Sequence, residues 1–164
     1  MTLKKTFAAL WLAVPLLAYA QQATFAVRTI TPEAALRAAR AALAACSKGG
    51  FQVAVAVTDR AGHPLVMLRE RHAGPHTPEA ATNKAYSALT FKIDTLALNR
   101  STQAGEASAG IRHLPRVVAV GGGLVIEAAG SIVGAIGVSG APGGDADDRC
   151  AKAGLTEIAE DLEL

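Results

Sequence analysis

Across 164 residues, 16 lysines and arginines stand against 14 aspartates and glutamates, an excess that Lys4 and Lys5 account for by themselves. Set that pair aside and 14 basic residues face 14 acidic ones, which excludes a cationic footprint for nucleic acid or an anionic membrane surface. The two cysteines, Cys46 and Cys150, have no CxxC neighbour, which argues against structural zinc and thioredoxin-like chemistry.

Lys4 and Lys5 open a three-part pattern. An apolar run from Phe7 to Leu17 follows them, interrupted only by Pro15, and Ala18-Tyr19-Ala20 then places small residues before Gln21. This is the pattern of a cleavable signal peptide over residues 1–20, and it predicts an exported protein, periplasmic or secreted. The apolar run is far short of the roughly 20 residues a bilayer requires, and no later segment is apolar enough for a span. A polar lead over 21–29 and one domain over 30–164 make up the remainder.

Thr31-Pro32 is a helix start, with a hydroxyl at the N-cap and proline at the first helical position. Ala35, Leu36, Ala39, Leu43 and Cys46 continue it at helical spacing until Gly49-Gly50. Val53–Thr58 reads as a buried strand, with Val53, Val55 and Val57 on one face and smaller residues between them. A turn at Asp59–Gly62 leads to a returning strand at Leu65–Leu68. After a charged loop, Thr77-Pro78 repeats the helix-start signature, and a helix is expected from there to about Ile93, with a short helix near Leu96–Asn99 beyond it.

Val117–Val120 is expected to begin a second β region, broken or bulged by Gly121-Gly122-Gly123 before Leu124–Glu127. A turn at Ala128–Ser131 leads to a strand over Ile132–Ser139. That strand carries Ile132, Ile136 and Val138 on one face, and Val133, Ala135, Gly137 and Ser139 on a small-residue face suited to close helix packing. A glycine-rich loop and a final helix with Cys150, Ala153, Ile158 and Leu162 complete the chain. The predicted fold is α/β of the α+β kind: a mostly antiparallel five-stranded sheet with helices packed on it, in the order α-β-β-α-β-β-β-α. An oxidising compartment permits Cys46 and Cys150 to pair, while two buried thiols are the alternative. The separation of their Cα atoms decides between them.

The five glycines between Gly134 and Gly144 form neither G-x-G-x-x-G nor a P-loop, and the βαβ context of a dinucleotide site is absent. Gly143-Gly144-Asp145 is read as a tight turn with Asp145 as helix N-cap, or as a helix start able to receive a carboxylate. No G-x-S-x-G elbow or H-E-x-x-H motif is present. Of four histidines, His63 reads as a hairpin surface residue, and His72 and His76 flank Gly74-Pro75. His76 sits on a rigid corner before a helix, where a neutral imidazole can ligate haem iron or a divalent metal; a solvated loop histidine is the alternative. His113 lies beside Arg112 and Arg116, a cationic cluster suited to carboxylates or propionates, or simply to solvent. Lys84, among Ala80, Ala81 and Ala88, either reaches an anionic ligand or extends to water.

Ala73-Gly74-Pro75-His76-Thr77, with Lys84-Ala85-Tyr86 and Leu89-Thr90-Phe91, resembles the central motif of the GlcG/HbpS-like haem-binding proteins. Gly121-Gly122-Gly123-Leu124, the run Gly134 through Asp145, and Cys150 to Gly154 are similar to the same family's second motif. The likeness spans residues 30–163, with Arg71-His72 standing where many relatives carry Asp-Gly. The resemblance implies a compact domain with an antiparallel sheet, assembly into homo-oligomers, and binding of haem or a related tetrapyrrole. The first expectation is therefore an exported haem-binding protein that sequesters or presents haem at the cell envelope. His76 is its iron ligand, His113 a second metal-ligand candidate, and Lys84, Arg112 and Arg116 are partners for the propionates. Two alternatives stand beside it: a haem-degrading or other small-molecule enzyme, and an oligomeric non-enzymatic module that binds a corrinoid or a small carboxylate.

Overall fold

The computed structural model describes residues 23–163, so the signal-peptide segment lies outside the described residues. The first helix, α1 (Pro32–Lys48), begins where its caps require. Thr31 is extended at the N-cap, and its hydroxyl accepts the Ala34 N–H at 3.2 Å. Strands β1 (Ala54–Asp59) and β2 (Pro64–Arg69) form the first hairpin, closed by Asp59, whose carboxylate accepts the N–H groups of Ala61 and His63. Helices α2 (Thr77–Phe91) and α3 (Thr95–Ser101) follow, then a 3-10 turn at Ala109–His113. Next come β3 (Gly123–Ala128), β4 (Ser131–Ser139), α4 (Gly144–Glu157) and a short α5 (Ala159–Leu162).

The sheet is antiparallel throughout, in the order β2-β1-β4-β3, so the two hairpins join through β1 and β4. It has four strands among the described residues, which corrects the expectation of five. Val117–Val120 is the segment that differs. Its β-branched composition suits a strand, but the Val118 N–H goes to the Ser87 hydroxyl on α2 at 2.9 Å instead of to a neighbouring strand. Left-handed backbone at Arg116 (φ 67°) and Gly122 (φ 111°) bends the chain on either side of it.

Alternation along β1 divides the molecule into three layers. Val55 and Val57, with Leu124, Ile126, Ile136 and Val138, face the alanine stripe of α1 and the Cys150–Ala151 face of α4. Ala54 and Ala56 face the other way, onto Ala81 of α2, and Ala135 meets Ala85 and Ala88. Val133 joins the first of these cores, against the strict alternation read from the sequence, because the β3–β4 register shifts between Ile126 and Glu127. The small-residue face of β4 is used as its composition suggests. At Gly137 an added Cβ would collide with the Ala81 carbonyl of α2, and at Gly123 with the Lys84 carbonyl, so α2 lies directly on the sheet backbone.

Cys46 and Cys150 are bonded, with Cα atoms 5.4 Å apart, and tie α1 to α4. The two helices also approach closely at Gly154, where a Cβ would stand 2.6 Å from the Ala38 carbonyl oxygen. No helix among the described residues is long and apolar enough to cross a membrane.

Candidate functional site

The start of α2 differs by one residue from the expected cap. The Thr77 hydroxyl donates to the Gly74 carbonyl at 2.8 Å instead of capping the helix, and His76 occupies the N-cap position. Gly74 leaves room for the imidazole, since a Cβ there would lie 2.8 Å from His76 Cε1 and 3.0 Å from Nδ1. His76 is thereby held exposed at the mouth of a pocket of about 390 Å³. Thr77, Ala80 and Lys84 form the α2 wall, and Val118 and Val120 form a second wall. The Ser139–Gly144 loop and Asp147, in the first turn of α4, form the third.

Lys84 does not extend to water. It is 3 % exposed, and its Nζ donates to Asp147 Oδ2 at 2.7 Å and to the Val138 carbonyl at 3.0 Å. Asp147 is equally buried, and its other oxygen accepts the Ala141 N–H at 2.9 Å. Burial pushes the Asp147 carboxyl above its usual range, a desolvation effect that the neighbouring ammonium and the Ala141 N–H only partly oppose. Gly122 makes this junction possible, because a Cβ there would stand 2.6 Å from the Asp147 Cβ and 3.2 Å from Lys84 Nζ. Gly121 and Gly144 touch in the same way, backbone on backbone, with a Cβ on Gly144 only 2.5 Å from the Gly121 nitrogen. Gly121 and Gly122 therefore serve the packing of the pocket floor, and Gly123 the seat of α2 on the sheet.

Of the residues singled out from sequence, His76 and Lys84 share this pocket, while Arg112, His113 and Arg116 are not among its lining residues. Arg112 is held by the Thr102 carbonyl at 2.7 Å and by Asn99 Oδ1 at 2.6 Å. Arg116 stacks over the Tyr86 ring, 4.0 Å from its centroid. His113 is exposed in the 3-10 turn, and His63 stands 3.7 Å from the Asp59 carboxylate at the hairpin turn. Asp145 does not cap α4, whose N-cap is Gly143 with φ 87°. Asp147 is the pocket residue that sequence reasoning missed. The available signal was an acid in the first turn of a helix whose start was already marked by Gly143-Gly144, in a fold that also buries a lysine among alanines.

Beside Asp147, but not lining the pocket, Asp148 pairs with Lys152 at 2.8 Å, and its buried Oδ1 has no hydrogen-bond partner among the described residues. Burial raises the Asp94 carboxyl, and the nearby Asp148 charge adds to the effect. No group of three or more histidine, cysteine or acidic side chains among the described residues is arranged to hold a metal ion. A second cavity of about 370 Å³ opens at the other end of β4, lined by Ile30, Ala34, Val133 and Leu162 together with the Arg37–Asp161 ion pair; no histidine lines it.

Residues 30–156 match a protein family described as haem degrading protein HbpS-like. A crystallised double mutant of HbpS from Streptomyces reticuli is 39 % identical and superimposes with a TM-score of 0.76, covering 88 % of this chain and 96 % of that one. ORFY of Klebsiella pneumoniae is 28 % identical, with a TM-score of 0.81 over 85 % of this chain and 97 % of that one. PduOC, crystallised as a haem complex, is 28 % identical with a TM-score of 0.75, over 79 % of this chain and 95 % of that one. An uncharacterised 15.0 kDa protein of Citrobacter freundii, from the dhaT-dhaS intergenic region, is 33 % identical over 116 residues, 70 % of this chain and 82 % of its own.

Proposed function

Because the chain belongs to the HbpS-like family, we propose that it binds haem in the pocket between α2 and the Ser139–Gly144 loop, with His76 as the iron ligand. The observation that carries this reading is the exposed imidazole of His76, set on a helix start and lining the same pocket as a buried lysine. The donor set suits a flat guest with acidic edges. Ala80, Val118, Val120 and Ala141 offer apolar surface, and Lys84 offers a cation. His113 is not part of this pocket, so the reading assigns a single iron ligand from this chain. The haem complex of PduOC supports the cofactor.

We extend the reading to export and assembly. The Cys46–Cys150 bridge supports an oxidising compartment outside the cytoplasm, in keeping with the signal-peptide pattern. Leu114, half-exposed and outside the pocket lining, supports contact with further copies of the chain.

Titration of the protein with haemin is expected to shift the Soret band, and His76→Ala is expected to abolish that shift and weaken binding at least tenfold. An unchanged spectrum and affinity in His76→Ala removes His76 from the role. The family description names haem degradation, so the same complex is to be incubated with a reductant. A stable Soret band supports binding alone, whereas its loss with release of iron and a bilin points to turnover.

A further inference from the structure

We infer that Asp147 is a positioning residue for the acid-bearing edge of the guest: it holds the Lys84 ammonium and the Ser139–Gly144 loop together across the pocket floor. The inference rests on the haem reading above and adds to it the part of the ligand that the floor recognises.

The geometry is that of a clamp between two walls. One Asp147 oxygen receives Lys84 Nζ from α2 and the other receives the Ala141 N–H of the loop, at 2.7 and 2.9 Å. Asp147 itself stands in the first turn of α4, one turn before Cys150, whose disulfide fastens α4 to α1. A single carboxylate thus sets the distance between the α2 wall, which carries His76, and the loop opposite.

Stability alone is a poor account of such a pair. Two buried charges must be stripped of water, and well-packed apolar residues commonly hold a core as well or better. Lys84 also has a donor to spare. An ammonium offers three N–H groups, and the Val138 carbonyl and Asp147 take two. Both Lys84 and Asp147 line the pocket, and its remaining charged or titratable lining residue, His76, stands at the rim. A propionate arriving from the mouth is the natural acceptor for the third N–H, and Asp147 keeps that donor in place. In this role Lys84 touches the guest and Asp147 acts through Lys84.

The test compares haemin with its dimethyl ester, which keeps the iron and ring but lacks both carboxylates. Wild-type protein, Asp147→Asn and the double variant Lys84→Met/Asp147→Asn are titrated with each, and their thermal midpoints are measured alongside. The asparagine still accepts from Ala141, and the double variant buries no charge, so its fold is expected to be retained. Wild type is expected to prefer haemin to the ester at least tenfold. Asp147→Asn should lose most of that preference, and the double variant all of it, while the Soret position that His76 sets stays unchanged in every case. Equal affinity of the wild type for haemin and ester overturns the inference while leaving haem binding intact, and this comparison needs no variant to fold. A full preference retained by either variant overturns it as well. A wild type that gives no Soret shift with either compound overturns the haem reading and this inference together.

Discussion

Replacing both bridged cysteines, as Cys46→Ala/Cys150→Ala, is expected to lower the free energy of unfolding by about 4–5 kcal/mol, the magnitude the chain-entropy account gives for a loop of roughly 100 residues. The bond joins positions 104 residues apart, so it constrains most of the described chain in the unfolded state. Its loss also acts on the folded side. Cys46 and Cys150 are 0 % and 5 % exposed, and each alanine removes a buried sulfur from the seam between α1 and α4. The other buried apolar positions of the two helices are alanines and Gly154, which bury little area to compensate. Guanidinium unfolding of the oxidised protein and the double variant measures the difference. Coincident midpoints with equal slopes would show that the bridge contributes nothing to stability.

Gly137→Ala has the second large effect. Gly137 pairs with Ala56 on one side and Gly123 on the other, in the middle of the sheet, and α2 passes directly over it. The new methyl would meet the Ala81 carbonyl oxygen and stand 2.8 Å from the Ala85 nitrogen, both of them helix backbone with no rotamer to yield. Either α2 lifts from the sheet or the central strands spread, and overpacking of this kind costs about 3 kcal/mol. Lifting α2 moves His76 and Lys84 together, so haemin binding should fall with the thermal midpoint. Gly110→Ala is the matched control: nothing lies within 4 Å of its added Cβ, and its midpoint should stay near that of the wild type. A Gly137→Ala protein that melts and binds like the control contradicts the close helix-on-sheet packing.

Much of the fold is legible in local chemistry. Thr31-Pro32 marks a helix start that the structure uses as expected, and the alternation of valine with alanine along residues 53–57 sorts the two faces of β1. The readings that changed are those decided by distant partners. Val117–Val120 has strand composition, yet its backbone is captured by Ser87, 31 residues away in sequence. Thr77 resembles an N-cap, but its hydroxyl turns back to Gly74. The same limit applies at the site. Gly74 and His76 are neighbours in sequence, so the corner they form can be read there, whereas the Lys84–Asp147 pair spans 63 residues and exists only once α4 has docked. Arg112, His113 and Arg116 lie close together in the chain, but the 3-10 turn and the left-handed Arg116 separate what they touch: Asn99 and Thr102 in one case, Tyr86 in another. For two cysteines the pairing itself needs no choice of partners; only their spatial separation was missing, and 5.4 Å between Cα atoms answers it.

The most direct test of the haem assignment is a crystal structure of the protein soaked with haemin. Porphyrin density is expected between α2 and the Ser139–Gly144 loop, with the His76 imidazole bonded to iron and a propionate at Lys84. Density at any other surface, with the His76 ring turned into bulk water, would contradict it.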